Sequence, residues 1–481
     1  MSRTAIRYAG DFYIEEIQLL TIKGGSVDLK DIISSIDIFE DIGTHAITGT
    51  ISFMDTNNLI YNAPIIGQER LYLKIYTPQK TPTEDTVIDF TKNTLYINKI
   101  INVTDYNDQT KIVTLSFTTQ DIYMNSRVRV SKSYTGEPSD IVKKILRSPT
   151  LLNSKKKLFF EKTTNNYKFV IPNMRPFSAI NMIAQKSLSS AHNLSPTYLF
   201  FETCFGYHFR SIDSMFDRTT VSAIYREHNP TILDENGSKN FQADMETLRE
   251  LSIVNAQDSF LNTRMGMYSS NIIIYDWYSK NITKKEYNYL DNFSKDKHTQ
   301  QNAAEGNPNP LVSEAKEYGN KRISDFPDSI QFLQGTILNG IQDKNYYELN
   351  GTTHANYTNP YQGNNVDKWC MRRRSRLAQL ESGTMIQVEV IGRTNIQAGD
   401  LVEVEVPSST TSTPDKFNRY LSGRYLIKQL HHSFSTKSGD AKHVCHMTLV
   451  KDDVREAYPA VGTGPGGNAW VDAGDALNQS V

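Results

Sequence analysis

Residues 47–53 read Ile-Thr-Gly-Thr-Ile-Ser-Phe, with a polar residue at every second position. Because successive side chains of a β-strand point to opposite faces, this period predicts a strand that buries Ile47, Ile51 and Phe53. The same alternation recurs at 71–76, 95–101 and 112–117, with turn-rich segments between them. Short alternating strands with little helix between them predict an antiparallel barrel or sandwich.

A second set of stretches repeats this pattern near the other end of the chain. The repeated stretches are 386–391, 401–406, 424–430 and 442–449. Gly67 precedes Tyr96 by 29 residues, and Gly399 precedes Tyr425 by 26. The matching order and spacing predict two similar antiparallel β-barrels, although alternating strands also resemble one another by chance.

Glycines and tyrosines of the repeat have a structural interpretation. A glycine followed by an acidic or amide residue suits a tight turn with positive φ, and tyrosine is favoured on strands. We therefore interpret the repeat positions as barrel turns and strands rather than as a binding site. These positions are Gly67, Tyr96, Gly399, Asp400, Gly423 and Tyr425.

The segment between the two repeats has a different character. A helix is predicted to begin at Pro138, a second helix at 177–189, and a hairpin around Cys204-Phe205-Gly206. Residues 126–175 carry twelve Lys and Arg against three acidic residues. We interpret this excess as a solvated face, with a surface for DNA, an acidic partner or a membrane as the open alternative.

The fold class is therefore mainly β, with an α+β insertion between two similar barrels. The predicted domains are a first barrel at 1–125, an α+β domain at 126–240, a second barrel at 241–290 and 369–458, a polar loop-rich insertion at 291–368 that forms no core, and a flexible tail at 459–481. A helix with an arginine-rich basic face is predicted at 369–381, ended by Gly383.

Composition excludes several classes of protein. The 481 residues hold 52 Lys and Arg against 53 Asp and Glu, whereas dedicated nucleic-acid binders usually carry a basic excess. Three scattered cysteines (Cys204, Cys370 and Cys445) predict neither a disulfide framework nor a thiolate metal site. We expect no secretory signal and no membrane-spanning helix.

Motifs for catalysis or cofactor binding are nearly absent from the sequence. The pairs His431-His432 and His443-x-x-His446 suggest a metal, but neighbours and residues three apart on a strand point to opposite faces. A Gly-x-Gly-x-x-Gly match at 462–467 follows no strand and suits a linker. We therefore predict no catalytic, metal or cofactor site.

Several segments resemble the central baseplate hub protein of contractile-tailed bacteriophages. They are Asn262–Ser270 with Ile274-Tyr275-Asp276, Tyr287–Phe293, Ala398-Gly399-Asp400-Leu401 and Ser422-Gly423-Arg424-Tyr425. The likeness spans about 1–290 and 370–458, and it leaves the insertion and the glycine-rich tail without counterparts. None of the matching motifs is catalytic.

The resemblance implies a structural protein of the virion that is assembled in the host cytoplasm. Such hubs are homotrimers in which two barrels per chain make a pseudo-sixfold ring, and the ring joins a hexameric tail tube to a trimeric spike. The partners it implies are a central spike protein, the tail tube or a tube-initiator protein, neighbouring baseplate proteins, and DNA that only passes through the lumen, with no membrane insertion.

Two other functions stay open. One is a tail-associated cell-wall or polysaccharide hydrolase, which would need two acidic residues close together in a cleft. The other is a carbohydrate-binding module, since the chain holds 26 tyrosines.

Overall fold

The computed structural model describes most of the chain. The described residues are 6, 8–22, 24–56, 59, 65–78, 86–107, 109–226, 244–255, 258–276, 280–303, 307–316, 320–335, 366–407, 417–418, 420–436 and 442–457. The predicted flexible tail at 459–481 and the Asn- and Tyr-rich stretch at 345–365 lie outside these residues.

Strands dominate the described structure. The strands are β1 (Tyr13–Leu20), β2 (Ser26–Asp28), β3 (Ile33–Asp41), β4 (Thr48–Asp55), β5 (Arg70–Tyr76), β6 (Val87–Asp89), β7 (Leu95–Asn107), β8 (Thr110–Thr119), β9 (Val130–Gly136), β10 (Leu158–Phe160), β11 (Tyr167–Met174), β12 (Tyr198–Thr203), β13 (Gly206–Ser211), β14 (Ala223–Arg226), β15 (Leu248–Asn255), β16 (Ser269–Asp276), β17 (Asn281–Asn288), β18 (Gln331–Gly335), β19 (Thr384–Ile391), β20 (Leu401–Glu405), β21 (Gly423–Ser435) and β22 (Lys442–Lys451).

Helices are fewer than strands among the described residues. They are α1 (Gln120–Arg127), α2 (Pro138–Arg147), α3 (Pro176–Gln185), α4 (Ile212–Phe216), α5 (Ser259–Met265), α6 (Tyr289–Asn292) and α7 (Val366–Ser382), with 3₁₀ turns at Phe293–Lys295 and Pro327–Ser329. None of the described helices is long and apolar enough to cross a membrane.

Two β units share one strand-pairing scheme. The first unit (β1 to β8) has the strand order β3-β4-β8-β7-β5-β1, and the second unit (β14, β15 and β19 to β22) has the order β15-β19-β22-β21-β20-β14. Each unit therefore repeats the same four-strand core between two outer strands. The predicted mainly β fold with two similar antiparallel units is confirmed.

The two units differ at one outer strand. β1 pairs antiparallel with β5, whereas β14 pairs parallel with β20. A parallel bridge between Arg226 of β14 and Thr247, just before β15, brings the two outer strands of the second unit into contact. Each unit encloses its own apolar core, which includes Ile51 and Leu115 in the first and Val388 and Met447 in the second.

The two units are joined edge to edge into one sheet of fourteen strands. β21 pairs antiparallel with β3 over Gln429–Ser435 and Ser35–Asp41, so the longest strand of the second unit lies beside the third strand of the first. Because the ladder continues through the joint, neither unit exposes an unpaired strand edge there.

The α+β segment forms two smaller sheets under its own helices. β9 pairs with β11, and β13 lies between β10 and β12. Ile141 and Ile145 lie on one face of α2, and they share an apolar core with Ile180 of α3. The helix predicted at Pro138 and the hairpin predicted around Cys204-Phe205-Gly206 are confirmed. The independence of this segment as a domain stays a prediction.

Three strands belong to sheets outside the domains to which the sequence pattern assigned them. β14 falls within the predicted α+β domain but pairs with β20 of the second unit. β16 and β17, predicted in the second barrel, instead form a three-stranded sheet with β18. The reason is a nonlocal parallel pairing of β16 with β18, because the alternation of a strand does not specify its partner.

The polar insertion at 291–368 contributes more structure than predicted. Phe293, Leu311 and Val366 are buried in a core with Ile272 of β16 and Met371 of α7. Helix α7 runs from Val366 to Ser382, so the predicted helix and its end before Gly383 are confirmed. The expectation that this insertion forms no core was wrong for its described part, because scattered apolar residues in a polar stretch were too sparse to show a period.

Candidate functional site

The joint between the two β units carries a polar and aromatic strip on its outer face. His431 of β21 stacks on Phe39 of β3 with ring centroids 4.3 Å apart, and on His446 of β22 at 5.2 Å. Asp37 accepts hydrogen bonds from His431 Nε2 and Ser433 Oγ, both at 2.9 Å. Burial would raise the pKa of Asp37, but these hydrogen bonds outweigh it and lower that pKa.

A groove of about 570 Å³ runs along this strip. It contains carboxylates from both units, among them Asp41, Glu250 and Glu389. Glu389 is already engaged, because its carboxylate lies 3.2 Å from Arg249 and 3.8 Å from His446. The groove is therefore a mixed-charge surface that bridges the two units.

Glu40 links the two units to the α+β segment beneath the groove. Its carboxylate accepts hydrogen bonds from the backbone N–H of Cys204 at 2.6 Å and of Ala398 at 2.8 Å. Burial raises the pKa of Glu40 to about 7, although the two backbone hydrogen bonds oppose that rise. Both carboxylate oxygens are occupied by main-chain donors, so Glu40 holds three parts of the chain together.

Three of the six predicted repeat positions are glycines, and each has positive φ. Gly67 and Gly399 have nearly the same φ, +84° and +85°, in the turns that precede β5 and β20. Gly423 has φ of +132°, and a Cβ atom there would lie 2.3 Å from the Gln300 side chain. Beside Gly399, the Asp400 carboxylate binds Arg218 and accepts a hydrogen bond from Ser222 at 3.0 Å.

The two predicted tyrosines lie on strands but on different faces. Tyr425 is fully buried in the core of the second unit. Tyr96 is half-buried on the outer face, between the core residues Leu95 and Ile97. The two tyrosines therefore do not have the same role.

Backbone hydrogen bonds next to the two tyrosines explain why they lie on different faces. The Ile97 N–H donates to the Glu69 carbonyl at 2.9 Å, and the Ile427 N–H donates to the Asp400 carbonyl at 2.9 Å. These two isoleucines are the matching positions of the two units. Tyr425 lies two residues before its isoleucine and Tyr96 lies one before, so the predicted match was wrong by one residue, which reverses the face of a strand.

The arginines of α7 were predicted to form a basic face, and most of them are tethers instead. Arg373 donates to the Pro196 carbonyl at 2.8 Å, and Arg372 binds Asp296. Arg376 is fully buried, lying 2.5 Å from Asp452 and 3.3 Å from Asp213. Adjacent arginines did not reveal this role, because their acidic partners are far away in sequence.

The basic segment at 126–175 mostly matches its predicted solvated face. Lys156 is the exception: it is buried, with its Nζ 3.2 Å from Asp121 and in contact with Glu202. Burial would lower the pKa of Lys156, but the two carboxylates outweigh it and raise that pKa.

Three side chains meet inside the second unit, behind the outer strip. His432 of β21 lies directly opposite Cys445 of β22, and His443 lies two residues before Cys445 on the same face. All three are at most 1% exposed. Burial lowers the pKa of His432 to about 3 and that of His443 well below its usual value, and it raises the pKa of Cys445 to about 12.

This cluster was missed because the sequence analysis compared histidines only within a strand. Each predicted pair does point to opposite faces, since His431 and His446 lie on the outer strip. The detectable signal was the combination of His432 with a His-x-Cys pair on the next strand, 443–445, which shares one face.

Apolar side chains are also exposed on the end strand β15 of the joined sheet and on the part of β7 that extends beyond its two-residue pairing with β5. Ile101, Val103 and Tyr106 on the long β7 strand are 47%, 43% and 64% exposed. Ile253 and Val254 on the outer strand β15 are 49% and 50% exposed. Exposed apolar patches at sheet edges are typical of surfaces that another chain covers.

Comparison with known proteins shows the fold. No family model and no curated protein matches the sequence. Among solved structures, the tail protein from Neisseria meningitidis MC58 is similar with a TM-score of 0.50 and 11% identity, over 92% of this chain and 99% of that chain. The chain has the fold of a tail protein.

Two further structures resemble it more distantly. The 43 kDa tail protein of prophage MuSo2 from Shewanella oneidensis has a TM-score of 0.49 at 10% identity, over 91% of this chain and 98% of that chain. The E. coli c3393 protein, a component of the type VI secretion system with structural similarity to T4 bacteriophage tail proteins gp27 and gp5, has a TM-score of 0.39 at 10% identity, over 95% of this chain and 81% of that chain.

Proposed function

We propose that this chain is the structural hub of a contractile phage tail, located in the virion baseplate after assembly in the host cytoplasm. The observation that carries the proposal is the strand-pairing scheme that occurs twice in one continuous sheet. Three such chains around one axis present six similar units, which matches a hexameric tube on one side and a trimeric spike on the other. The tail-protein fold supports this role.

Exposed apolar residues on two strand edges support a ring. In a closed trimer, the unpaired part of β7 in one chain, with Ile101 and Val103, would meet the end strand β15 of the next chain, with Ile253 and Val254. Burying these side chains removes apolar surface from water and covers a strand edge. The central spike, the tail tube or tube initiator and neighbouring baseplate proteins are the partners of this proposal, and DNA passes through the lumen.

A structural rather than enzymatic role is part of the proposal. A hydrolase needs a free acid and a second carboxylate. In the groove, both oxygens of Glu40 are bonded to backbone N–H groups, and Glu389 lies beside Arg249 and His446. Asp41 accepts hydrogen bonds from the Gly43 N–H at 2.6 Å and from Gln429 at 2.7 Å, which leaves Glu250 as the remaining carboxylate of the groove. We therefore expect purified protein to leave the turbidity of a cell-wall suspension unchanged, and clearing would favour the hydrolase.

Light scattering on the full chain tests the trimer. We expect a mass of about three times the 54.7 kDa of one chain, and a ring in cryo-electron micrographs. Ile101→Lys should shift the protein toward monomer, because it puts a charge into the proposed interface. Val170→Lys is the matched control, since Val170 is 66% exposed on β11 outside this interface. A wild-type chain that stays monomeric at every concentration, or equal effects of the two variants, would contradict the proposal.

A further inference from the structure

Three donor atoms converge inside the second unit. His432 Nδ1 lies 3.0 Å from His443 Nε2, and Cys445 Sγ lies 3.2 Å and 3.5 Å from these two nitrogens. We propose that His432, His443 and Cys445 form a buried binding site for one thiophilic metal ion, with Cu⁺ the favoured ion and Zn²⁺ the other member of the class. This inference does not rest on the proposed role in a phage tail.

The spacing of the donor atoms fits a shared ion. Metal–nitrogen bonds of about 2.0 Å and metal–sulfur bonds of about 2.3 Å place two nitrogens about 3.3 Å apart, and nitrogen and sulfur about 3.6 Å apart, in tetrahedral geometry. The three observed distances differ from these values by less than about half an ångström. A small outward shift of the side chains would therefore complete the site.

Proton positions favour an ion over a simple hydrogen-bonded cluster. Within the described part of the chain, the outward nitrogens His432 Nε2 and His443 Nδ1 make no hydrogen bond of good geometry, although the Ile396 carbonyl lies close to the His432 ring. If the inward nitrogens carry the ring protons, the outward ones are buried acceptors without donors. If the outward nitrogens carry them, two inward lone pairs face each other at 3.0 Å with only one thiol proton to share. If one ring carries its proton inward, that N–H donates to the other ring, and the outward nitrogen of the donating ring is then a buried acceptor. An ion between the donors satisfies both inward lone pairs and the sulfur.

The backbone around the cluster leaves room for the rings and holds them in place. A Cβ atom on Gly392 would lie 2.3 Å from the His443 ring, so only glycine fits at that position. Phe434 stacks on the other side of His443 with ring centroids 4.0 Å apart. All three donor residues lie on the paired strands β21 and β22, and sites built on strands hold their geometry better than sites on loops.

Ligand type and charge select the ion. A thiolate with imidazoles selects Cu(I) or Zn(II) among the common metal ions. One thiolate, two neutral imidazoles and Cu⁺ give a neutral complex, whereas Zn²⁺ leaves one net positive charge. Because an unpaired buried charge is costly, this fully buried site favours the monovalent ion.

Metal analysis of the full chain tests the site. Wild-type protein made in medium supplemented with copper or with zinc, and then gel-filtered, should carry about one ion per chain in at least one of the two media. Copper above zinc is the expected order, and the reverse order would overturn the choice of ion. Less than about a tenth of an ion per chain with both metals would overturn the site.

Variants locate the bound ion. Cys445→Val keeps the core apolar and should lower the metal content at least tenfold, whereas His446→Ala, on the opposite face of the same strand, should retain it. Equal metal content in Cys445→Val and wild type would refute the assignment. If Cys445→Val does not fold, X-ray absorption of the metal-loaded wild type decides, since one sulfur and two nitrogen neighbours are expected and a shell without sulfur would overturn the proposal.

Discussion

Replacing Arg376 by methionine should destabilise the region around α7 by about 3–5 kcal/mol, the usual cost of removing one partner from a buried ion pair. The guanidinium lies 2.5 Å from Asp452 and 3.3 Å from Asp213, and it also donates to the Lys297 carbonyl at 2.6 Å. Both carboxylates would stay buried after the substitution. Their remaining hydrogen bonds, such as the one between His298 and Asp452 at 2.8 Å, place the expected loss at the lower end of that range.

The assay is urea unfolding followed by the fluorescence of Trp369, which lies on α7 itself. Trp277 and Trp470 are replaced by phenylalanine in all proteins, so that the signal reports this helix. Arg374→Met is the matched control, because Arg374 is exposed on the same helix and, within the described residues, donates one hydrogen bond to the Met265 carbonyl at 2.8 Å and lies over the Phe332 ring. The control should change the free energy of unfolding by less than about 1 kcal/mol. Equal losses in the two variants would refute the reasoning.

The pH dependence separates lost ion pairing from lost packing. Burial would raise the pKa of Asp452, but His298 and Arg376 hold it at about 2, so its stabilising effect is present above the usual value of 3.8 and is lost as pH falls toward 2. Without Arg376 this pKa should rise. The difference in stability between wild type and Arg376→Met should therefore shrink between pH 7 and pH 4, and a constant difference would indicate packing alone.

Three further predictions concern Glu40 at the joint, the two turn glycines of the repeat and the buried Lys156. The pKa of Glu40 is raised to about 7 from 4.5 in the unfolded chain, so the wild-type protein should lose stability as pH rises from 4.5 to 7. Glu40→Gln should reduce this pH dependence of the denaturation midpoint. The same pH profile in variant and wild type would contradict the prediction. Gly399→Ala should lower stability more than Gly67→Ala, although both glycines have positive φ. The added Cβ atom at 399 would lie 3.0 Å from a side chain, whereas the nearest atom to a Cβ atom at 67 is 3.5 Å away. Equal decreases in melting temperature would disprove this difference. Lys156→Met should lower the free energy of unfolding in urea by about 3–5 kcal/mol, because it leaves the carboxylates of Glu202 and Asp121 buried without a cation. A loss below about 1 kcal/mol would contradict the buried pairing.

Local patterns predicted the elements of this fold well. The alternation at 47–53 and at 386–391 corresponds to β4 and β19, and the proline and apolar spacing at 138–146 corresponds to α2. Order and spacing of the strands also indicated the duplication, because each strand carries its own period. The match of Tyr96 with Tyr425 failed by one residue, since strands of similar composition align almost equally well in neighbouring registers.

Partners across the chain could not be predicted in the same way. The pairing of β16 with β18 and the burial of Arg376 among distant aspartates join residues from separate segments. The meeting of His432 with Cys445 depends on the register between two neighbouring strands. An arginine or histidine has the same local signature whether it faces water or a buried partner. Only the folded chain distinguishes these cases.

The sequence by itself determined that the chain is mainly β, that its β pattern occurs twice and that an α+β segment lies between the copies, because side-chain periodicity is a local property. The tertiary structure decided that β3 and β21 join the copies into one sheet, that the insertion supplies part of a core, and that two histidines and a cysteine converge on one point. The joint depends on pairing between residues as far apart as Asp41 and Gln429, and the cluster depends on the register between β21 and β22, which the alternation of a single strand does not specify.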